Sequence, residues 1–118
     1  MDTLVFDADE LLTYFEHDMS FVTQLLAMFL PEAERRVQQL KEAAAAADLQ
    51  ALYIPAHTLK GHAATAKTKA LGDLAGELVR AVQCGDGEAA IALSARVAEE
   101  FEKARSAIAA WQASLPAR

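Results

Sequence analysis

Two long stretches of this chain repeat an apolar side chain at steps of three and four, and that spacing constrains the fold more than anything else in it. In the first, Phe21, Leu25, Met28 or Phe29, Ala33, Val37, Leu40 and Ala44 share one side of a helix. In the second, the stripe is Leu93, Val97, Phe101, Ala104, Ile108 and Trp111. A helix with one apolar face must cover it, and the obvious cover is another such helix. Runs of alternating β-branched residues bounded by turns are absent, so no sheet is expected to do it. The chain is 53% hydrophobic, and its Gly (5) and Pro (3) fall mostly where helices could end. The expected fold class is all-α.

Reading the chain in order fills in the elements. Asp7 caps a short first helix, with Glu10 completing a capping box, Phe6 stapled onto Leu11, and Leu11, Leu12 and Phe15 as its apolar side. His17 and Asp18 form a turn, and a long second helix begins near Ser20. Pro31 interrupts its hydrogen bonding without shifting the apolar phase, which predicts a kink rather than a break. Asp48 caps a third helix from about Leu49 to Ala66, with Pro55 inside it as a second expected kink. Thr68 caps a fourth, packed through Leu71, Leu74, Leu78 and Ala81 or Val82. Gly85 stops that helix, and the fifth runs from Asp86 or Gly87 to about Ser114, ahead of Pro116. Short connections between long amphipathic helices make neighbours antiparallel. The expected architecture is therefore an up-down four-helix bundle with a short additional N-terminal helix as a lid, in one domain spanning 1–118.

Composition excludes several functions. A net charge of −6 argues against a nucleic-acid partner, which would need clustered Lys and Arg. No apolar segment approaches the roughly 20 residues of a membrane span. The N-terminus is acidic (Asp2, Asp7, Asp9, Glu10) and unlike a secretory signal, and Cys84 is the one cysteine, so a soluble, intracellular protein is expected. Met1 and the compact ends favour a free-standing chain. No Gly-rich nucleotide loop, metal cluster or catalytic dyad is visible, so neither an independent enzyme nor a cofactor is expected. His57 and His62 are five residues apart, whereas helical metal ligands sit at i, i+4, so no metal site is expected. Cys84 is read as an inert small apolar residue. The clusters Glu32-Glu34-Arg35-Arg36 and Glu99-Glu100-Glu102-Lys103 are read as solvated faces.

One stretch does not fit a plain scaffold. In Ala56-His57-Thr58-Leu59-Lys60-Gly61, a rotation of about 100° per residue puts His57, Lys60 and Gly61 on one side of the third helix. Leu49, Leu52, Ala56, Leu59 and Ala63 lie roughly opposite. The imidazole points away from the packed face, with an ammonium one turn on and a bare backbone beside it. Gly in mid-helix costs about 1 kcal/mol relative to Ala, so it asks for a reason. Tyr53 and Ala64, one turn before and two turns after His57, border the site. With parts of the first two helices they form the expected docking surface.

That stretch resembles the A-H-x-L-K-G phosphorylation motif of the histidine-containing phosphotransfer (HPt) domain family. Leu71 and Leu74 continue the resemblance downstream. The flanks agree at Val5-Phe6-Asp7, Leu11-Leu12, Phe29-Leu30, Asp48 and Phe101 to Trp111. It implies that His57 accepts a phosphoryl group from an aspartyl phosphate on a receiver domain and passes it to another receiver. Lys60 would counter the phosphoryl charge, and Gly61 would let the partner approach. The implied partners are response-regulator receiver domains and a hybrid sensor histidine kinase, with Mg held only by the receiver. The implied protein is a cytoplasmic, monomeric relay without turnover of its own. A receiver-binding module that carries no phosphate and a structural bundle are the alternatives. Two positions depart from the family pattern. Lys67 replaces the usual Gly ten residues after the histidine, and Val79 stands where an acidic or amide neighbour of the imidazole is often found.

Overall fold

The computed structural model describes residues 4–116, and among the described residues every regular element is helical. The helices are α1 (Ala8–Tyr14), α2 (Met19–Ala45), α3 (Tyr53–Thr65), α4 (Lys69–Gln83) and α5 (Gly87–Ala113), with a 3-10 turn at Gln50–Leu52 ahead of α3. Aspartates start most of them. Asp7, Asp18 and Asp86 accept hydrogen bonds from the amides of Glu10, Phe21 and Ala89 at 3.0, 3.0 and 3.1 Å, and Asp48 accepts from Ala51 at 3.2 Å. The capping box at α1 is half made. The Glu10 carboxylate pairs with Lys67 (3.7 Å) instead of turning back to the cap. Thr68 precedes α4, but its buried hydroxyl donates to the Ala63 carbonyl at 3.0 Å rather than capping the helix.

The helix ends are alike in a way that composition hides. After α1, α2, α3 and α4 the chain passes through a left-handed residue: Glu16 (φ 55), Ala47 (φ 51), Lys67 (φ 58) and Gly85 (φ 73). In each case the following amide reaches back five residues to a carbonyl: His17 to Leu12, Asp48 to Ala43, Thr68 to Ala63 and Asp86 to Ala81, at 2.6–3.0 Å. This double closure satisfies carbonyls that the helix leaves open. Only Gly85 is the residue type that takes such a φ without cost.

The two prolines turn out differently: as expected, the helix is not broken at Pro31, whereas Pro55 does not lie in the middle of a longer helix. Pro31 lies within an unbroken α2. The third helix is not one run from Leu49. The 3-10 turn comes first, and α3 opens at Tyr53 with Pro55 in its first turn, where an amide would have had no helical acceptor anyway. Pro55 therefore removes no ladder bond.

The four longer helices form a ring in which α2 touches α3, α3 touches α4, α4 touches α5, and α5 returns to α2. Contacts between α3 and α4 run antiparallel: Ala63 faces Gly72, and Lys60 faces Gly76. One core of Leu, Val, Phe, Ala and Ile side chains fills the ring, including Leu26, Leu40, Leu52, Leu59, Leu71, Leu78, Phe101 and Ile108. The first half of α2 is turned by about one residue from the expected phase. Val22, Leu26 and Phe29 face the core, while Phe21 and Met28 are exposed (44% and 74%) and Leu25 is half-buried. From Ala33 on, the phase is as predicted through Val37 and Leu40; beyond that Ala43 is buried and Ala44 half-buried.

The N-terminal segment closes the end where α3 passes into α4. The Asp7 amide donates to the Lys67 carbonyl (2.9 Å), the Ala70 amide donates to the Leu4 carbonyl (2.7 Å), and the Phe6 ring meets Trp111 edge-on at 5.8 Å. Among the described residues, no helix is long and apolar enough to cross a membrane.

Candidate functional site

The outer face of α3 carries the site. Ala56, Leu59 and Ala63 are fully buried, and Leu52 just ahead of the helix is buried with them. That fixes the rotation of α3, so His57, Lys60, Gly61 and Ala64 are exposed together. The placement matches the helical-wheel expectation. Tyr53 is also brought in, half-buried, with its ring stacked on the His57 imidazole (centroids 5.7 Å apart, planes at 25°).

Gly61 has no internal explanation. A methyl group added there would meet nothing within 4 Å, so packing does not demand glycine in this helix interior. Gly76 on α4 differs. A methyl there would lie 3.7 Å from Cδ and Cε of Lys60 and 3.7 Å from Nη1 of Arg80. The lysine stem and the guanidinium thus converge over a strip of bare backbone, and neither cation has an ion-pair partner among the described residues. The neighbouring basic groups are engaged. Lys69 pairs with Asp73 at 3.0 Å, while Lys67 reaches Glu10 and lies 4.5 Å from the centroid of the Tyr14 ring. Lys60 is therefore available to an incoming anion. The sequence reading did not reach Arg80; its signal is the pair Gly72 and Gly76, four residues apart on the side of α4 that faces α3.

The two departures resolve differently. Lys67 adopts the left-handed conformation that glycine would have supplied, so the exit of α3 keeps its shape without glycine. Val79 is buried and apolar, and among the described residues the imidazole has no hydrogen-bond partner. Its fixed neighbour is the Tyr53 ring.

Beside this face, α2 and α3 enclose a groove of about 850 Å³ lined by Leu25, Met28, Phe29, Pro31, Thr58 and His62, among others. Glu32 at its edge accepts from Arg35 (3.3 Å) and Arg36 (3.1 Å). The Arg35 hydrogen bond, foremost, holds the Glu32 carboxyl below its ordinary range against the opposing effect of partial desolvation. His62 is half-buried in this groove, off the His57 face. Cys84 is exposed at the end of α4. Among the described residues, no three His, Cys, Asp or Glu side chains are grouped to hold a metal ion.

No curated protein and no solved structure gives a significant match to the chain. A family model for the Hpt domain matches residues 24–111, from within α2 to near the end of α5. The chain belongs to the Hpt domain family, the histidine phosphotransfer domains of two-component signalling.

Proposed function

We propose that this protein is a phosphorelay intermediate that carries a phosphoryl group on His57. The observation that carries the reading is the outward face of α3, where an exposed imidazole, an ammonium unpaired among the described residues and a glycine that packing does not require lie together. In the transfer, a neutral ring nitrogen of His57 attacks the phosphorus of an aspartyl phosphate on a receiver domain. The N–P bond forms, the acyl P–O bond breaks, and the electron pair leaves on the receiver's carboxylate. The reverse step on a second receiver discharges the histidine.

Lys60 counters the negative charge on the phosphoryl oxygens, with Arg80 adding positive charge beside it. Gly61 leaves room for the partner's backbone and the phosphoryl group. The divalent cation and most of the catalytic groups belong to the receiver, so this chain needs no cofactor and has no turnover of its own. Docking uses the rim at Tyr53 and Ala64. The exposed apolar side chains of Phe21 and Met28 on α2 support a wider contact there, because a solvated helix face gains nothing from them. The partners are response-regulator receiver domains and a hybrid sensor kinase, and the setting is a cytoplasmic relay in which the chain acts as a monomer.

The test is incubation with a phosphorylated receiver. Wild type is expected to take up an acid-labile, base-stable label, and His57→Gln none. Undiminished label on His57→Gln, or none on the wild type with any receiver, overturns the reading. Binding without labelling selects a receiver-binding module that carries no phosphate.

A further inference from the structure

An exposed histidine on a helix has several rotamers open to it and a broad torsion about its ring bond. His57 has a constraint that most such residues lack. Tyr53 lies four residues back, one turn toward the N-terminus, and helical side chains lean in that direction. The imidazole accordingly lies on the tyrosine ring, nearly parallel to it at 25° and 5.7 Å between centroids. Tyr53 is itself held: it is the first residue of α3, half-buried and packed against the core beside Leu52. An anchored ring thus supports an exposed one.

We propose that Tyr53 is a positioning residue for the His57 imidazole, holding the ring by its face so that a nitrogen edge stands toward the incoming phosphoryl group. The inference rests on His57 being the phosphoacceptor. It deepens that reading by giving Tyr53 a role inside the chain in place of a simple place on the docking rim. The lone pair of an imidazole nitrogen lies in the ring plane, so a neighbour on the face restrains the ring without blocking attack. A carboxylate or amide neighbour would instead engage one nitrogen and select a tautomer. Val79, buried and apolar, supplies no such group, and the imidazole has no hydrogen-bond partner among the described residues. The stack is what orients it.

The experiment separates positioning from docking by using a donor that needs no docking. Phosphoramidate transfers its phosphoryl group to a histidine nitrogen with ammonia as the leaving group, and no receiver takes part. Full-length wild type, Tyr53→Phe and Tyr53→Leu are labelled with it, and the His57 ring protons are followed by NMR. In the wild type those protons are expected upfield of a free histidine, shifted by the tyrosine ring current. Tyr53→Leu should lose that shift and label about three- to tenfold more slowly, the range expected for loss of one aromatic pair. Tyr53→Phe should keep both. Tyr53→Gln, which has no ring face, serves if the leucine variant does not fold. Unchanged ring shifts and labelling in Tyr53→Leu, or equal losses in Tyr53→Phe, overturn the inference alone. Slow transfer from a receiver with normal labelling by phosphoramidate also overturns it and returns Tyr53 to the docking rim. A wild type that takes no label from phosphoramidate or from any receiver overturns the phosphoacceptor reading and this inference with it.

Discussion

The inner and outer faces of α3 belong to one helix and obey different rules. Inside, Ala56, Leu59 and Ala63 have no exposed surface, and their sizes are set by how closely α2 and α4 approach. Outside, His57, Lys60, Gly61 and Ala64 are exposed, and no contact among the described residues dictates Gly61. The inner face is specified by volume, the outer by chemistry directed at something else. Substitutions on the two faces should therefore separate stability from transfer.

The largest effect on stability is expected inside. Leu59→Ala should cost about 2–5 kcal/mol, read from its urea midpoint, because a fully buried leucine leaves a cavity. A cost under about 1 kcal/mol would mean that α3 repacks freely and that its rotation is not fixed from within. Outside, Lys60→Gln should slow phosphoryl acceptance from a receiver by about ten- to hundredfold, the loss of one hydrogen bond to a charged group. Its stability should stay within about 0.5 kcal/mol of wild type. If stability falls as much as transfer, the two faces are not independent.

Gly61→Ala sharpens the contrast furthest, because its two effects have opposite signs. The alanine should stabilise the fold by about 1 kcal/mol, since helix propensity improves and the added methyl meets nothing. Transfer from a receiver should slow in the same variant. A more stable variant with undiminished transfer would leave the bare backbone without a purpose. The smallest effect is expected at the helix exit. Lys67→Ala keeps the left-handed backbone but loses the Tyr14 and Glu10 contacts, and should cost about 1 kcal/mol. Lys67→Gly loses the same contacts but relieves the backbone, so it should melt within a few degrees of wild type.

How much of this was legible depended on which residues had competitors. The all-helical class followed from periodicity, and the outward direction of His57 followed from its wheel position relative to Leu59 and Ala63. The start of α2 did not. Phe21, Leu25 and Met28 make one stripe, and Val22, Leu26 and Phe29 make a second beside it; both are apolar, and only packing against the rest of the ring selects between them. Helix ends near Ala66 and Ser114 were legible as well as the one at Gly85, but the left-handed closure was legible only where glycine marked it. Gly85 could be read, whereas Ala47 and Lys67 adopt the same left-handed turn in residue types that give no sign of it. At the site, Lys60 and Gly61 came with the motif. The convergence of Arg80 on Lys60 depends on how closely α3 and α4 approach, which the local pattern signals only through Gly72 and Gly76.

The attachment of the N-terminal segment bears on the order in which the molecule assembles. α1 has seven residues, too few to persist as a helix alone in water. Its anchors are the Lys67 carbonyl, the Ala70 amide and the Trp111 ring, all far along the chain. A helix that enters the molecule early in the chain thus waits for segments far downstream of it before it can seat. In the folded molecule the same dependence runs backward. Opening α1 releases the exit of α3 and uncovers the edge of the core that Phe6 and Leu11 cover, so the amides of Asp7 and Ala70 should exchange with solvent ahead of those in the core of α4 and α5.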